Sequence, residues 1–390
     1  MFWNVNLNPS SSDGPFPLRA SSLGSGLVPA ATRSVHPTFL LAEEPDSAGA
    51  AFGRGDVVLP DGASSVAIGP IGGALRAHRL PGPVRAVAGN VAGDVAILSE
   101  ACATRASGCH PAAPEVVLYR NGPGFSRAIT LDRKGHSYDA TLAIDAGGTA
   151  LVAWDRDGSV YARFVSPSGK LTAIQRLATE TTPPGIDVAI ADDGRAAVGW
   201  TSQSVSEGQA SSPFAASLSL AGPHHRFTRP KLLETIALDP SDVYVPYRGL
   251  VVALPDGQPG MAAWSGFDGA HFVVRAASIT GTAVGAPQTV SQAGVDTVLA
   301  DAAESSRGEA AILLLPGRRG SGPPVIGQPG GLDAVSRGTA AQAFGAPVQV
   351  VGSPTYVDGA DLAIDAKTGQ AFATWRNVAG PIGWSASSSL

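Results

Sequence analysis

Charge is scarce in this 390-residue chain: Asp, Glu, Lys and Arg make up 15% of it, against roughly a quarter in ordinary globular proteins. Lysine is nearly absent, with 4 residues beside 23 arginines, and the net charge of −5 is spread without runs. No stretch of sequence carries a polyanion-binding signature, which sets nucleic acid aside as a partner. Long apolar runs are missing too. None approaches the roughly eighteen residues that span a bilayer, so a transmembrane protein is not expected. The first nine residues, Met1 to Pro9, have neither a basic n-region nor an apolar h-region, so no signal peptide is visible.

Cysteine is limited to Cys102 and Cys109, in one polar stretch. A disulfide pinning that loop is the preferred reading and would imply an oxidising, extracellular or cell-surface setting. Two free thiols in a reduced cell is the alternative. A metal site comes last, because two thiolates need further ligands and only His110 stands near. Catalytic motifs are also wanting: no Gly-x-Ser-x-Gly elbow, P-loop, His-Glu-x-x-His or helix-opening Gly-x-Gly-x-x-Gly occurs. No cofactor is expected.

What is abundant is punctuation. Glycine (48) and proline (31) break a 44% hydrophobic chain into short apolar runs, which suits many short strands rather than long helices. The runs repeat. Asp139-Ala-Thr-Leu-Ala-Ile-Asp-Ala-Gly-Gly-Thr-Ala-Leu-Val-Ala-Trp154 is echoed by Asp187-Val-Ala-Ile-Ala-Asp-Asp-Gly-Arg-Ala-Ala-Val-Gly-Trp200 and by the segment from Asp361 to Trp375. Looser copies end at Trp264 and Leu314, and another runs from Val84 to Leu98. Each is a strand, an Asp/Gly turn and a second strand. Ala150, Val152 and Trp154 alternate onto one face, as do Ala196, Val198 and Trp200.

Two further strands follow each pair, as in Ser159 to Leu177 and Ser65 to Leu80. Fourth strands are expected at Gly124–Leu131, Arg226–Leu233, Gly281–Val290 and Ala343–Val351. The unit is a four-stranded meander of about 50 residues, the size of a propeller blade. An all-β propeller of seven blades is expected, at 36–80, 84–131, 138–177, 186–233, 247–290, 295–351 and 360–390; six blades are the alternative, since the first unit is the least regular. Residues 1–35 form an N-terminal segment whose Phe2–Asn8 stretch is expected to supply the strand that closes the ring.

The Ala-Ile-Asp-Ala-Gly-Gly-Thr-Ala-Leu-Val-Ala-Trp repeat resembles that of uncharacterised propeller proteins of high-GC bacteria, many of them exported. The resemblance covers most of the chain from Val84 onward and implies blades rather than a chemistry. The Trp-Asp and Gly-His pairs of WD40 repeats, the paired glycines of kelch repeats and the Phe-Arg-Ile-Pro of sialidases are all absent. Trp3–Pro9 lacks the aspartate that would act as nucleophile in a five-bladed glycosidase.

Chemistry could sit where the innermost strands begin. Asp139, Asp187, Asp296 and Asp361 open such strands and are expected at one mouth of the central channel, where carboxylates could hold a cation or a sugar. The alternative is that each accepts backbone N–H groups of a neighbouring blade. Long connections join second to third strands or pass between blades, and strand alternation brings both classes to one face. Tyr138, Tyr247, Arg248 and Tyr356 on that face are the further candidate ligand contacts. His224-His225 reads as a solvated turn and Asp155–Gly158 as a tight hairpin; no metal ligand set is expected. The expected function is a non-catalytic, monomeric propeller that presents its loop-rich face to a protein or carbohydrate ligand. The alternative is a carbohydrate-active hydrolase or lyase using carboxylates at the channel mouth.

Overall fold

Residues that are apolar on both sides of a strand need a neighbour on each side, and the repeat supplies one. In the second strand of the third unit, Ala150, Val152 and Trp154 pack with Ala96, Leu98 and Val116 of the unit before. The alternate residues Leu151 and Ala153 pack with Val188, Val198 and Trp200 of the unit after. A computed structural model of the chain describes residues 18–20, 33–35, 51–52, 56–60, 64–70, 76–90, 92–102, 111–120, 124–134, 139–179, 185–203, 212–238, 249–317, 331–351, 357–364, 369–377 and 383–386. Every regular element among them is a β-strand.

Seven antiparallel meanders succeed one another, and a separate pair, Leu18–Ala20 with Arg33–Val35, precedes them. The first sheet runs Ala51–Phe52, Asp56–Pro60, Ser65–Pro70 and Arg76–Arg79. The second runs Val84–Gly89, Val95–Cys102 and Pro111–Arg120, with Gly124–Phe125 and Ile129–Thr130 sharing the outer edge. The third comprises Ala140–Ile144, Ala150–Arg156, Ser159–Val165 and Gln175–Arg176. The fourth comprises Gly185–Ile190, Ala196–Gln203, Ser212–Ala221 and Lys231–Leu238.

The fifth contains Leu250–Ala253, Gly260–Phe267 and Phe272–Thr280, with Ala283–Val284 and Gln288–Thr289 outside them. The sixth is Thr297–Glu304, Ala310–Pro316, Leu332–Arg337 and Val348–Val351. The seventh shows Val357–Ile364, Ala371–Asn377 and Gly383–Ala386.

The inner strands of successive sheets lie against each other from the second sheet to the seventh, and the inner strand of the first meets that of the second. The apolar cores fall between sheets rather than inside one layer. One lies between the first and second, one between the second and third and one between the third and fourth. The series continues between the fourth and fifth, the fifth and sixth and the sixth and seventh. Sheets stacked face to face around an inner row of strands are a β-propeller, as the repeat implies.

The tryptophans mark register. Trp154, Trp200, Trp264 and Trp375 stand opposite Ala140, Ile186, Leu250 and Ala360 on their inner strands, and Leu314 opposite Leu299 takes the same place. Trp154, Trp200 and Trp264 are fully buried, each against the sheet before it. The turns that precede them hold Gly148, Gly194, Gly308 and Gly369 at φ between +71° and +86°, where a side chain would be strained.

Some boundaries differ from the sequence reading. The outer strand of the fourth sheet pairs over Lys231–Leu238 rather than Arg226–Leu233; Pro230 has no N–H for the ladder, so pairing begins after it. The first sheet is described from Ala51 only. The Phe2–Asn8 stretch lies outside the described residues.

Gly199 shows how closely the sheets meet. A Cβ there would lie 1.9 Å from Leu250 Cδ2 of the next inner strand, whereas the third and fifth sheets have Ala153 and Ala263 at this register. Gly199→Ala is expected to lower stability by about 1–3 kcal/mol in urea unfolding. Leu250→Ala added to it is expected to recover part of that loss, a non-additivity that two unrelated sites would not show.

Candidate functional site

An inner strand has an in-sheet neighbour on one side only. Alternate N–H groups along it therefore point away from the ladder and need other acceptors. Carboxylates of the preceding sheet meet this need. Asp139 Oδ2 accepts the Ile186 N–H at 2.9 Å, Asp187 Oδ2 the Val252 N–H at 2.8 Å, and Asp301 Oδ2 the Leu362 N–H at 2.7 Å. Between the fifth and sixth sheets a hydroxyl substitutes, with Ser265 Oγ accepting the Leu299 N–H at 3.1 Å.

The four aspartates picked from sequence thus fall into different places. Asp187 and Asp361 share a register, each beside the residue opposite the tryptophan, and both hold inner-strand positions. Asp139 stands two residues earlier than that register, just before its strand, and its own N–H donates to Asp155 Oδ1 at 2.6 Å. Asp296 precedes Thr297 and accepts the N–H of Phe272, on the third strand of the preceding sheet, at 2.8 Å. The carboxylate that matches Asp187 and Asp361 in the sixth sheet is Asp301, displaced by a bulge at Ala300. Sequence reasoning missed it because a bulge shifts register without changing composition.

Tyr138, Tyr247, Arg248, Tyr356 and Cys109 lie outside the described residues. Cys102 ends the second strand of the second sheet opposite Pro111. His225 sits at φ +58° in the third-to-fourth strand turn of the fourth sheet. Its ring stacks on Phe164 of the third sheet at 4.1 Å, so this turn is docked rather than free. Asp157 and Gly158, at φ +49° and +72°, make the two-residue hairpin expected at Asp155–Gly158. No three of His, Cys, Asp and Glu gather as metal ligands among the described residues.

The face where second strands pass to third strands is uneven. In the third and fifth sheets the connection is tight, closing with Arg156 opposite Ser159 and Phe267 opposite Phe272. In the fourth sheet the second, third and fourth strands run on past the inner strand, to Gln203 opposite Phe214 and Ser212 opposite Leu238. A small core of Phe214, Ile236, Phe272 and Val298 supports this projection from the next two sheets. Trp264 Nε1 donates to Glu234 Oε2 at 2.7 Å, and Glu234 also takes Arg275 at 2.9 Å, so the fourth and fifth sheets are tied from core to rim.

The opposite, short-turn mouth is acidic. The Ala146 N–H donates to Asp192 Oδ1 and the Asp192 N–H to Asp256 Oδ1, both at 2.5 Å, so successive turns are linked around the channel. Partial desolvation at the exposed turn, with Asp192 and Asp193 nearby, raises the Asp256 carboxyl above the usual range. Arg195 reaches over to the Pro255 carbonyl at 2.8 Å.

Two acids are buried deeper still. Glu100 pairs with Arg85 at 2.7 Å, and burial raises its pKa against the pull of that arginine. Glu304 pairs with Arg337 at 2.5 Å, its side chain 0% exposed and one carboxylate oxygen without a partner. Burial pushes its pKa to about 7, although Arg337 and Arg195 both favour the anion.

No protein-family model and no curated protein matches the chain. Solved structures do. Hydrazine synthase of Kuenenia stuttgartiensis is 11% identical, over 83% of this chain and 86% of that one, with a TM-score of 0.46. Virginiamycin B lyase from Staphylococcus aureus is 10% identical over 83% and 90%, at 0.42. Extracellular domains 1–2 of Drosophila Semaphorin 1b are 10% identical over 82% and 83%, at 0.42.

Glu304 gives the fold a pH signature. Its folded pKa lies above the ordinary glutamate value of 4.5, so its contribution is full below about pH 4.5 and is lost as pH rises through 7. The swing is about 3 kcal/mol. Urea midpoints between pH 4.5 and 7.5 should fall with rising pH in the wild type. In Glu304→Gln that component of the slope should vanish.

Proposed function

We propose that this propeller is a binding module whose ligand, a protein or a carbohydrate, is held on the face of the long connections, and that its carboxylates serve the fold rather than a reaction. The observation that carries this reading is the use of Asp139, Asp187 and Asp301 as acceptors for main-chain N–H groups of the next sheet. A carboxylate that would act as general acid or nucleophile has to face substrate, and these three face backbone. The projecting strands of the fourth sheet, with their own small core, are a rigid base of the kind that binding loops use. We further propose that the seven sheets close as seven blades and that the protein acts outside the cell, with Cys102 bonded to Cys109. No helix among the described residues is long and apolar enough to cross a membrane.

The test replaces residues 205–210, or residues 319–329, with a short Asn-Gly turn. Both variants and the wild type would be screened on a glycan array and against surface proteins of the source cell. Loss of the wild-type ligand in a shortened variant that melts like the parent supports the reading. Hydrolysis or elimination of any polysaccharide by the wild type, abolished in Asp139→Asn, would overturn it in favour of the enzyme. For the disulfide, neither cysteine of the exported protein should react with iodoacetamide until a reductant is added; labelling of both without reductant removes the bridge.

A further inference from the structure

We propose that the outer rim of the first four sheets binds a linear, carboxylate-bearing polysaccharide. The proposal rests on the fold but not on the loop face. The outer strands and their turns carry Arg76 and Arg79 in the first sheet, Arg127 in the second, Lys170 and Arg176 in the third, and Arg226 and Arg229 in the fourth, all exposed. None of these side chains is in an ion pair among the described residues. The acids on the same segments are turned inward: Asp132 bonds to Arg156, and Glu234 to Trp264 and Arg275. The outer segments of the fifth and sixth sheets, residues 281–291 and 338–351, contain no charged residue at all. Cations thus occupy one continuous arc of the rim, in a chain whose net charge is negative.

A groove marks where this arc begins. Between the outer strands of the first and second sheets lies a cavity of about 460 Å³ lined by His78, Arg79, Leu80, Val117 and Ser126, among others. His78 stacks flat on Phe125, with ring centroids 3.7 Å apart, and Phe125 abuts Tyr119 at 4.9 Å. Burial lowers the His78 pKa, which favours the neutral ring. An arginine beside the apolar Leu80 and Val117 suits a uronate residue. The guanidinium of Arg79 forks onto the carboxylate, with His78 lining the groove beside it.

The shape of the arc chooses among polyanions. It follows the convex outer edge of the propeller, so a flat bilayer reaches the cations of neighbouring sheets only, whereas a flexible chain can follow all four. Bases need open aromatic faces, and the exposed large apolar residues among those described are Ile174, Leu232 and Val348, none of them aromatic. The His78–Phe125 pair is closed on itself. Strength should come from several weak, screened contacts, and therefore fall steeply with salt.

The experiment measures binding of the full chain to polygalacturonate, with neutral dextran, phosphatidylglycerol–phosphatidylcholine vesicles and poly(dT) as the other arms. Polygalacturonate should bind, dextran should not, and affinity should drop on the order of tenfold or more between 50 and 200 mM salt. The triple variant Arg76→Gln, Arg79→Gln, Arg127→Gln should weaken binding about tenfold without moving the melting temperature, since exposed substitutions cost little. If that variant melts early, Arg226→Gln with Arg229→Gln serves instead. Arg307→Gln, an exposed cation on a short turn, should leave binding unchanged. Absence of polygalacturonate binding, equal loss with Arg307→Gln, or tighter rim-dependent binding to vesicles or poly(dT) would overturn the proposal. The loop-shortened variants should bind polygalacturonate as the wild type does, so a failed loop face and a failed rim remain distinct results.

Discussion

The inner edge of each sheet is the constraint on which the rest depends. An innermost strand pairs on one side and leaves alternate N–H groups facing the channel, and a buried N–H without an acceptor costs on the order of 1–3 kcal/mol. Where a closed barrel would pair those groups with another strand, a propeller must bring side chains to them. Here Asp139, Asp187, Asp301 and Ser265 each reach from one sheet to the backbone of the next. These bonds fix where each sheet stands along the axis relative to its neighbour. That alignment brings Trp264 Nε1 within reach of Glu234 on the preceding sheet. Capping and packing are therefore two expressions of one alignment, and a change to either should be felt in the other.

The same alignment explains why small residues recur beside the tryptophans. Gly199 meets Leu250, while Ala153 and Ala263 occupy its register elsewhere. Next to each of these tryptophans, which face the preceding sheet, a small residue faces the following one, so the sheets can approach closely at that register. Interiors are packed at crystal density, and alternation of this kind lets identical units stack without overlap. At the third sheet the arrangement leaves the Trp154 indole N–H without an acceptor. Among the described residues, no carboxylate of the second sheet accepts it as Glu234 accepts that of Trp264.

Much of this could be read in the sequence because it is local. Period-two alternation, the turn glycines at Gly148 and Gly194, and the tryptophan at a fixed distance after them define a strand pair within about sixteen letters. The structure reproduces those pairs with the tryptophans in equivalent register. The dipeptide Asp157-Gly158 likewise announces its hairpin. What escaped was what depends on a shift or a distance. The bulge at Ala300 hid Asp301 and left Asp296 as the apparent counterpart of Asp187. Glu304 and Arg337, 33 residues apart, give no signal until the first and third strands of the sixth sheet lie side by side with the second between them. The outer cations escaped for the same reason, being dispersed in sequence over more than 150 residues and gathered only by the repeat.

That dispersal also alters what net charge means for this molecule. A value of −5 counts every carboxylate equally, yet many of the acids do internal work. Asp139, Asp187 and Asp301 cap backbone, Glu100 and Glu304 are buried against arginines, and Asp132 and Glu234 hold their sheets at the rim. Asp192, Asp193 and Asp256 are exposed but confined to the short-turn mouth. Subtracting groups that solvent and ligands do not meet leaves a surface whose sign changes from mouth to rim. With a Debye length of roughly 8–10 Å at ordinary ionic strength, a partner at the rim is insulated from acids at the mouth and responds to the nearest arginines. A chain poor in charge can therefore present a locally signed surface where the fold pairs its acids internally and leaves exposed cations along one edge.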